Sequence, residues 1–440
     1  MNWIALLAPG RPGQHTSHAA PSRSAFEQDY DRIIFSHPFR RLQDKTQVHP
    51  LPEHDFVHTR LTHSLEVSSV GRSLGRTVGE HIVQAHAELA KSYSAFDFGA
   101  IVAAASLAHD LGNPPFGHAG EEAISAFFTH HPAGKSFEQK VTAAAWHDLI
   151  NFEGNAQGFR IINSNQYGLK LTLATLGAFT KYPCPSYFEH RNKANKSEKK
   201  YGFFQSEKEY FALVAEQTGL IEKQPGVWTR HPLAFLVEAA DDICYSIIDI
   251  EDGCRMGLIS YDDTVALLAE ILKQDYKPEK LNKIASPNEK IGVLRALVIG
   301  KLVKDCASVF IDNEKEILAG TFDKALADAG HFHAELKEIS RVSIEKIYRA
   351  RHVVEIEAAG HEVLPGLMHE FTQAGMHAME GLASRKYQNL LLLLPPEIRE
   401  AITTPPCSCY NMLRMIIDFV SGLTDRHALS LYRKIKGIAA

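Results

Sequence analysis

The sequence predicts a mainly α-helical fold, and three observations carry that expectation. Apolar residues recur at helical spacing from Phe26 onward. An Ala-rich apolar run over residues 101–107 reads as a buried helix. The segments are punctuated by Gly and Pro, with little strand signal and no compact repeat among them. At 440 residues the chain has the length of two or three domains, although a helical protein of this size can be one body. Its 45% apolar and 22% charged residues are ordinary for a soluble globular protein. The net charge of -5 gives no global attraction to nucleic acid or to a membrane, so any such role needs a local patch. No apolar run reaches the roughly 18 residues of a membrane span.

Residues 1–24 are rich in Pro, Gly, Ser and His and lack a signal-peptide core, so they read as a flexible arm on a cytoplasmic protein. The six cysteines are scattered without zinc-knuckle spacing and are expected to be reduced and buried. Residues 26–39 fit an amphipathic helix, followed by a basic and amide-rich segment over residues 40–48 that suits phosphate or sugar only beside a metal pocket. From Arg60 a helix runs on through Gly79, with Arg60 and His63 three apart on one face.

The stretch over residues 108–121 organises the rest. His109 and Asp110 end the Ala-rich helix and put a nitrogen and an oxygen ligand side by side. Gly112, Pro114 and Pro115 stop that helix, and Phe116-Gly117 turns the chain so that His118 and Glu121 face back toward the pair. Two of these groups suit a metal and two suit proton transfer. Asn155 stands where a helix N-cap would, a position that also suits an anion. Residues 172–179 form another short helix, ending at Lys181. Residues 183–205 carry five basic side chains and read as an exposed, mobile loop, or else as a phosphate lid or nucleic-acid patch. In the helical run from Pro232, Asp241, Tyr245 and Asp249 are spaced four apart and line one stripe. Asp242 lies about 100° away and is expected to meet a neighbouring helix or a basic side chain. Residues 261–440 continue as helices with short breaks.

His63, His109, Asp110 and Asp241 make an ordered set of two imidazoles and two carboxylates, which suits a divalent transition metal or Mg²⁺ better than a thiolate-bound zinc. Arg60, Gln47 and Lys181 in the same regions point to an anionic substrate. This order, with the 39–48 and 60–67 segments, the 109–118 run, Phe152-Glu153-Gly154-Asn155 and residues 238–243, resembles the deoxyguanosinetriphosphate triphosphohydrolases of the HD-domain superfamily. The resemblance implies an HD-domain helical bundle over residues 25–255, and a C-terminal helical region over 256–440 that completes the active site and the oligomer contacts. It implies one divalent metal, Mn²⁺ or Mg²⁺, on His63, His109, Asp110 and Asp241. It implies a catalytic pair in His118 and Glu121, with His118 kept protonated by Glu121. Gln47, Tyr245 and Asp249 would hold the deoxyribose, and Arg60, Asn155 and Lys181 the triphosphate. The implied reaction cleaves a deoxynucleoside triphosphate into deoxynucleoside and triphosphate. The implied assembly is a homo-oligomer, commonly a hexamer, with a dNTP or single-stranded DNA as effector. Two other readings stay open: a different HD activity, on a cyclic nucleotide or guanosine tetraphosphate, and a non-catalytic dNTP or single-stranded DNA sensor.

Overall fold

Helices Arg60–Ala85 and Ala95–Ala108 pack against each other along most of their length. In the computed structural model, which describes residues 1–13, 23–48, 57–164, 166–382 and 384–438, they run antiparallel. A Cβ added to Gly75 would stand 2.7 Å from the carbonyl oxygen of Phe98, so only glycine permits this approach. Gly71 lies against Ser106 and Gly79 against Phe98 and Ala95. The first turn of one helix is thereby set beside the last turn of the other, which brings His63 to His109.

The fold is mainly α, with twenty-three α-helices among the described residues. The one sheet there pairs Glu222–Gln224 with Val227–Trp228, antiparallel. Among the described residues no helix is long and apolar enough to cross a membrane. Apolar side chains gather into two cores. The first surrounds the Arg60–Ala85, Ala95–Ala108 and Pro232–Arg255 helices and continues through Pro287–Asp312 to Ile347. The second joins the helix Gly117–His130 to Arg351–Met379, Cys409–Ser421 and Asp425–Lys436. The division expected at residue 255 therefore does not follow the packing, because residues up to Ile347 belong to the first core.

Three further expectations need correction. Residues 1–13 are not an arm: Trp3, Leu6 and Leu7 are buried in the first core, and the buried Arg11 pairs with Asp29, which is fully enclosed. Ala8 and Gly10 carbonyls also accept from Ala174 and Leu173 amides. A Pro/Gly-rich composition cannot show this, since the anchors are a few apolar side chains among many polar ones; residues 14–22 lie outside the described residues. The 26–39 helix is two helices, Ala25–Ile34 and His37–Arg41, because Ser36 caps a new start at Phe39 N (3.3 Å) with Pro38 in its first turn. The 183–205 segment is tied down, not loose. Arg191 donates to the carbonyls of Ser186, Glu198 and Lys200, and Tyr201, Phe203 and Phe204 are buried.

Trp3 packs on Phe98 and Phe310, and its indole N–H donates to Glu314 at 2.8 Å. A loose arm would tolerate its truncation. Trp3→Ala should instead cost about 3–5 kcal/mol, read from denaturant unfolding of the two proteins.

Candidate metal centre and substrate cleft

Four chain segments deliver the central polar groups. His63 closes the first turn of Arg60–Ala85, and His109 and Asp110 follow directly on Ala95–Ala108. Asp241 comes from the middle of Pro232–Arg255, and Lys181 from the turn after Leu173–Phe179. His63, His109 and Asp110 each offer a ligand atom within 4.8 Å of the others, and all three are buried. Asp241 stands at the rim of this set: its Oδ1 is 3.2 Å from His63 Nε2 and 3.4 Å from His109 Nε2, while its Oδ2 accepts from Lys181 Nζ at 2.6 Å.

The donor chemistry fits a cation. His109 Nδ1 lies 2.7 Å from the carbonyl oxygen of Ser106, which can only accept, so that nitrogen carries the proton. In the neutral ring the Nε2 lone pair then faces Asp241 Oδ1, and Asp110 Oδ1 stands 3.5 Å away. Lone pairs turned toward one another call for a proton or a cation between them. An orienting carbonyl behind a metal-binding imidazole is the usual supporting arrangement. Asp110 Oδ2 is buried, and although Arg60 Nη1 is 3.0 Å away the angle makes it an ion pair without an aligned hydrogen bond. That oxygen keeps a lone pair to give.

The charges around the set are balanced. Burial pushes Asp110 up, but Arg60, His109 and His63 outweigh it and hold the carboxyl below its ordinary value. Burial acts likewise on Asp241, and Lys181 with the two imidazoles holds it well below. For His109 burial pulls down while Asp110 and Asp241 raise it, with a net upward shift. Asp242, expected to meet a neighbouring helix or a basic side chain, feels the charges of Lys181 and Lys196 but makes no hydrogen bond or close ion pair among the described residues. Burial, Glu238 and Asp241 push it up to about 7.

Beside this set lies a cavity of about 220 Å³ lined by Gln47, Arg60, His118, Tyr245, Tyr348 and Glu357 among others. Gln47 Oε1 is buried there with no hydrogen-bond partner among the described residues. Asp249 is 3% exposed and sits behind Tyr348, whose hydroxyl donates to it at 2.6 Å. Burial pushes the Asp249 carboxyl up to about 8, against the pull of that hydroxyl. His118 is also on the wall of a second, more open cleft of about 740 Å³ with Glu121, Glu153, Arg191, Lys199 and Lys200. The imidazole thus stands between the two spaces.

Two expected partnerships are absent. Glu121 does not hold His118; its Oε1 accepts from Gly154 N at 2.6 Å and its Oε2 lies 3.9 Å from Lys200 Nζ. The two side chains share the wall of the open cleft, but the Gly154 amide and Lys200 occupy the Glu121 carboxylate. His118 is shifted down rather than kept protonated, first by burial and then by the charges of Lys200 and Arg60. Asn155 is not the helix cap: Glu153 fills that role, and Asn155 Nδ2 donates to Glu153 Oε1 at 2.7 Å. Lys200 also reaches Glu153, at 3.2 Å. Tyr348 and Lys200 were not singled out in the sequence. In sequence Lys200 is one of five basic residues of a candidate phosphate lid with nothing to rank it above the others, and Tyr348 is one aromatic among helical residues about 100 positions from its partner.

Residues 60–148 match the HD domain family, and residues 326–434 match the phosphohydrolase-associated domain. A deoxyguanosinetriphosphate triphosphohydrolase-like protein of Synechocystis is 44% identical over the whole of both chains. The like-named protein of Pseudomonas aeruginosa is 38% identical over 99% of each. The chain belongs to the deoxyguanosinetriphosphate triphosphohydrolase-like family. Within that family, the deoxyguanosinetriphosphate triphosphohydrolase of Klebsiella pneumoniae is 31% identical over 94% of each chain. Membership makes the chain an HD phosphohydrolase, and each of the two matched regions contributes side chains to both apolar cores.

His58, given no role by its position in the sequence, ties this centre together. Its Nδ1 contacts both oxygens of Asp252 (2.8 and 2.9 Å), and its Nε2 lies 3.3 Å from Glu66. The start of the His63 helix is thereby fixed to the end of the Asp241 helix. Burial pulls the imidazole down, but Asp252 and Glu66 raise it to about 10. A folded value above the unfolded 6.5 means the stabilisation is fully present below pH 6.5 and lost as pH rises toward about 10. The melting temperature of the unaltered protein should therefore fall across that window toward that of His58→Gln, whose own curve should be flatter.

Proposed function

We propose that the chain is a metal-dependent hydrolase of deoxynucleoside triphosphates, cleaving at the α-phosphorus to give a deoxynucleoside and inorganic triphosphate. One observation carries the reading. The His63–His109–Asp110 set, the cations Arg60 and Lys181, and a cavity bounded by Gln47 and Tyr245 all adjoin His118 or one another. The names of the relatives make dGTP the first substrate to try.

His63, His109, Asp110 and Asp241 would hold the metal, with Asp241 exchanging its present imidazole contacts for the ion. When bound, a divalent cation there supplies Lewis-acid polarisation of a phosphoryl group. Mn²⁺ and Mg²⁺ are the ions of choice for this mixed nitrogen and oxygen set. Arg60 and Lys181 offset charge that builds on the phosphoryl oxygens. Lys200, from the tied-down 183–205 segment, adds a cation on the far side of His118, where the β- and γ-phosphates would lie. Gln47 Oε1 accepts from a sugar hydroxyl, and Tyr245 presents its ring to the deoxyribose. Asp249 would read the 3′-hydroxyl once the Tyr348 hydroxyl moves aside. Asn155 acts through Glu153 instead of touching phosphate.

His118 donates a proton to the departing 5′-oxygen as water attacks in line. Lys200 and Arg60 depress the free imidazole. A bound triphosphate neutralises both, so the substrate itself raises the imidazole to its working state. Glu121 positions Lys200 and the Gly154 amide. The protein is expected to assemble as a homo-oligomer, a hexamer by resemblance, which light scattering during gel filtration reads directly, with dNTPs or single-stranded DNA tested as effectors.

The deciding experiment incubates the purified protein with each of the four dNTPs and Mn²⁺ or Mg²⁺ and separates the products. Inorganic triphosphate supports the proposal. Pyrophosphate or orthophosphate alone, or turnover only of cyclic nucleotides or guanosine tetraphosphate, overturns it. His118→Ala should lower kcat by about 10²–10⁴ while dNTP binding and metal content are kept. Asp241→Asn should weaken metal binding in calorimetric titration, because a formal charge leaves the ion's surroundings.

A further inference from the structure

Asp425 opens the helix Asp425–Lys436 and is 1% exposed, yet its carboxylate lies far along the chain from any residue of the site. It accepts three hydrogen bonds. Oδ1 takes the amide of Phe116 (3.1 Å), and Oδ2 takes both the amide (3.0 Å) and the hydroxyl of Thr46. Each donor adjoins a group in the cleft: Thr46 precedes Gln47, and Phe116 stands two residues before His118. The preceding residue reinforces the tie, as Lys45 Nζ donates to the carbonyls of Asn113 (2.6 Å) and Ser421 (2.7 Å). The Lys45 carbonyl in turn accepts from the amide of Arg60 at 3.2 Å.

Phe116 needs such a tie. Its φ of 65° and ψ of 17° lie in the left-handed region, which an aromatic residue occupies only at a cost of order 1–3 kcal/mol. The helix Gly117–His130 that begins there has no side-chain cap, and the direction of its first turn sets where the His118 ring stands. The amide that Asp425 holds belongs to the strained residue itself.

We propose that Asp425 is a positioning residue: by holding the Phe116 amide in the left-handed turn, it aims His118 between the two clefts and makes the C-terminal helix part of the catalytic apparatus without touching substrate. The inference rests on His118 being the proton donor. A carboxylate is required because two backbone donors approach its two oxygens. An Asn side chain would set its own N–H groups against one of them.

Asp425→Asn provides the test. Hydrogen exchange over residues 113–120 should quicken at least tenfold, followed by mass spectrometry. The kcat for triphosphate release should fall about ten- to a hundredfold, with KM and metal content changed less than threefold. The double variant Asp425→Asn/His118→Ala should be no slower than His118→Ala alone, because the two changes remove one function. Losses that multiply in the double variant, or unchanged exchange at the turn, overturn the proposal. If exchange quickens but the unaltered protein hydrolyses no dNTP, the reading of function fails and the hold on the turn stands. Should Asp425→Asn not fold, Thr46→Val removes a single bond to the same carboxylate and is expected to shift exchange and kcat in the same directions. No change in either would count against the proposal.

Discussion

A charged carboxylate only partly open to water, that of Asp241, governs this structure. Taking Asp241 from water costs several kcal/mol unless partners return it. Those partners come from three other segments: Lys181 at 2.6 Å and the imidazoles of His63 and His109 at 3.2 and 3.4 Å. Each must arrive in register for the charge to be tolerated. Asp242 shows the alternative on the next residue. Among the described residues no hydrogen bond or close ion pair holds it; burial, Glu238 and Asp241 outweigh the pull of Lys181 and Lys196 and push it up to about 7. Burial thus acts alike on both, and the partners decide that one carboxyl is held well below its ordinary value and the other above it.

Register is supplied by close packing that leaves no room to slip. Glycines let the His63 helix lie against the helix that ends at His109, and His58 locks its start to Asp252. Gly112 is tighter still: a Cβ there would sit 1.9 Å from the carbonyl oxygen of Gly154. The turn after His109-Asp110 therefore rests directly on the segment that carries Glu153 and Asn155. The cleft opens where the two apolar cores meet, one bearing the metal-binding set and the other the helix of His118. The ties from Lys45 and Asp425 hold the two ends of the turn that runs from Asn113 to the left-handed Phe116.

Much of this was visible in the sequence wherever one helix carries the information. The stripe of Asp241, Tyr245 and Asp249 follows from the helical repeat, and the three do point toward one side of the structure: Asp241 to the imidazoles, Tyr245 to the cavity, Asp249 to the hydroxyl of Tyr348. The turn at Gly112–Gly117 was announced by its Gly and Pro residues, and it does bring His118 toward the cleft. Glu121 lies one helical turn from His118 on the same cleft wall, but the Gly154 amide and Lys200, both distant in sequence, take its two oxygens. The N-terminal residues and the 183–205 segment were misread for one reason: polar composition conceals a few buried anchors, Trp3 and Arg11 in one, Tyr201 and Phe203 in the other.

By itself, then, the sequence determined the helical class, the residue types able to hold a cation, and the phase of each along its own helix, since those depend on neighbours within a few positions. Only the tertiary structure decided which of them meet. That Lys181 neutralises Asp241, that Tyr348 covers Asp249 across 99 positions, and that Asp425 holds Phe116 across 309 are outcomes of packing two cores together. Such contacts carry no periodic signal, because their geometry is set by the shapes of the surfaces between them and not by the spacing of residues along the chain.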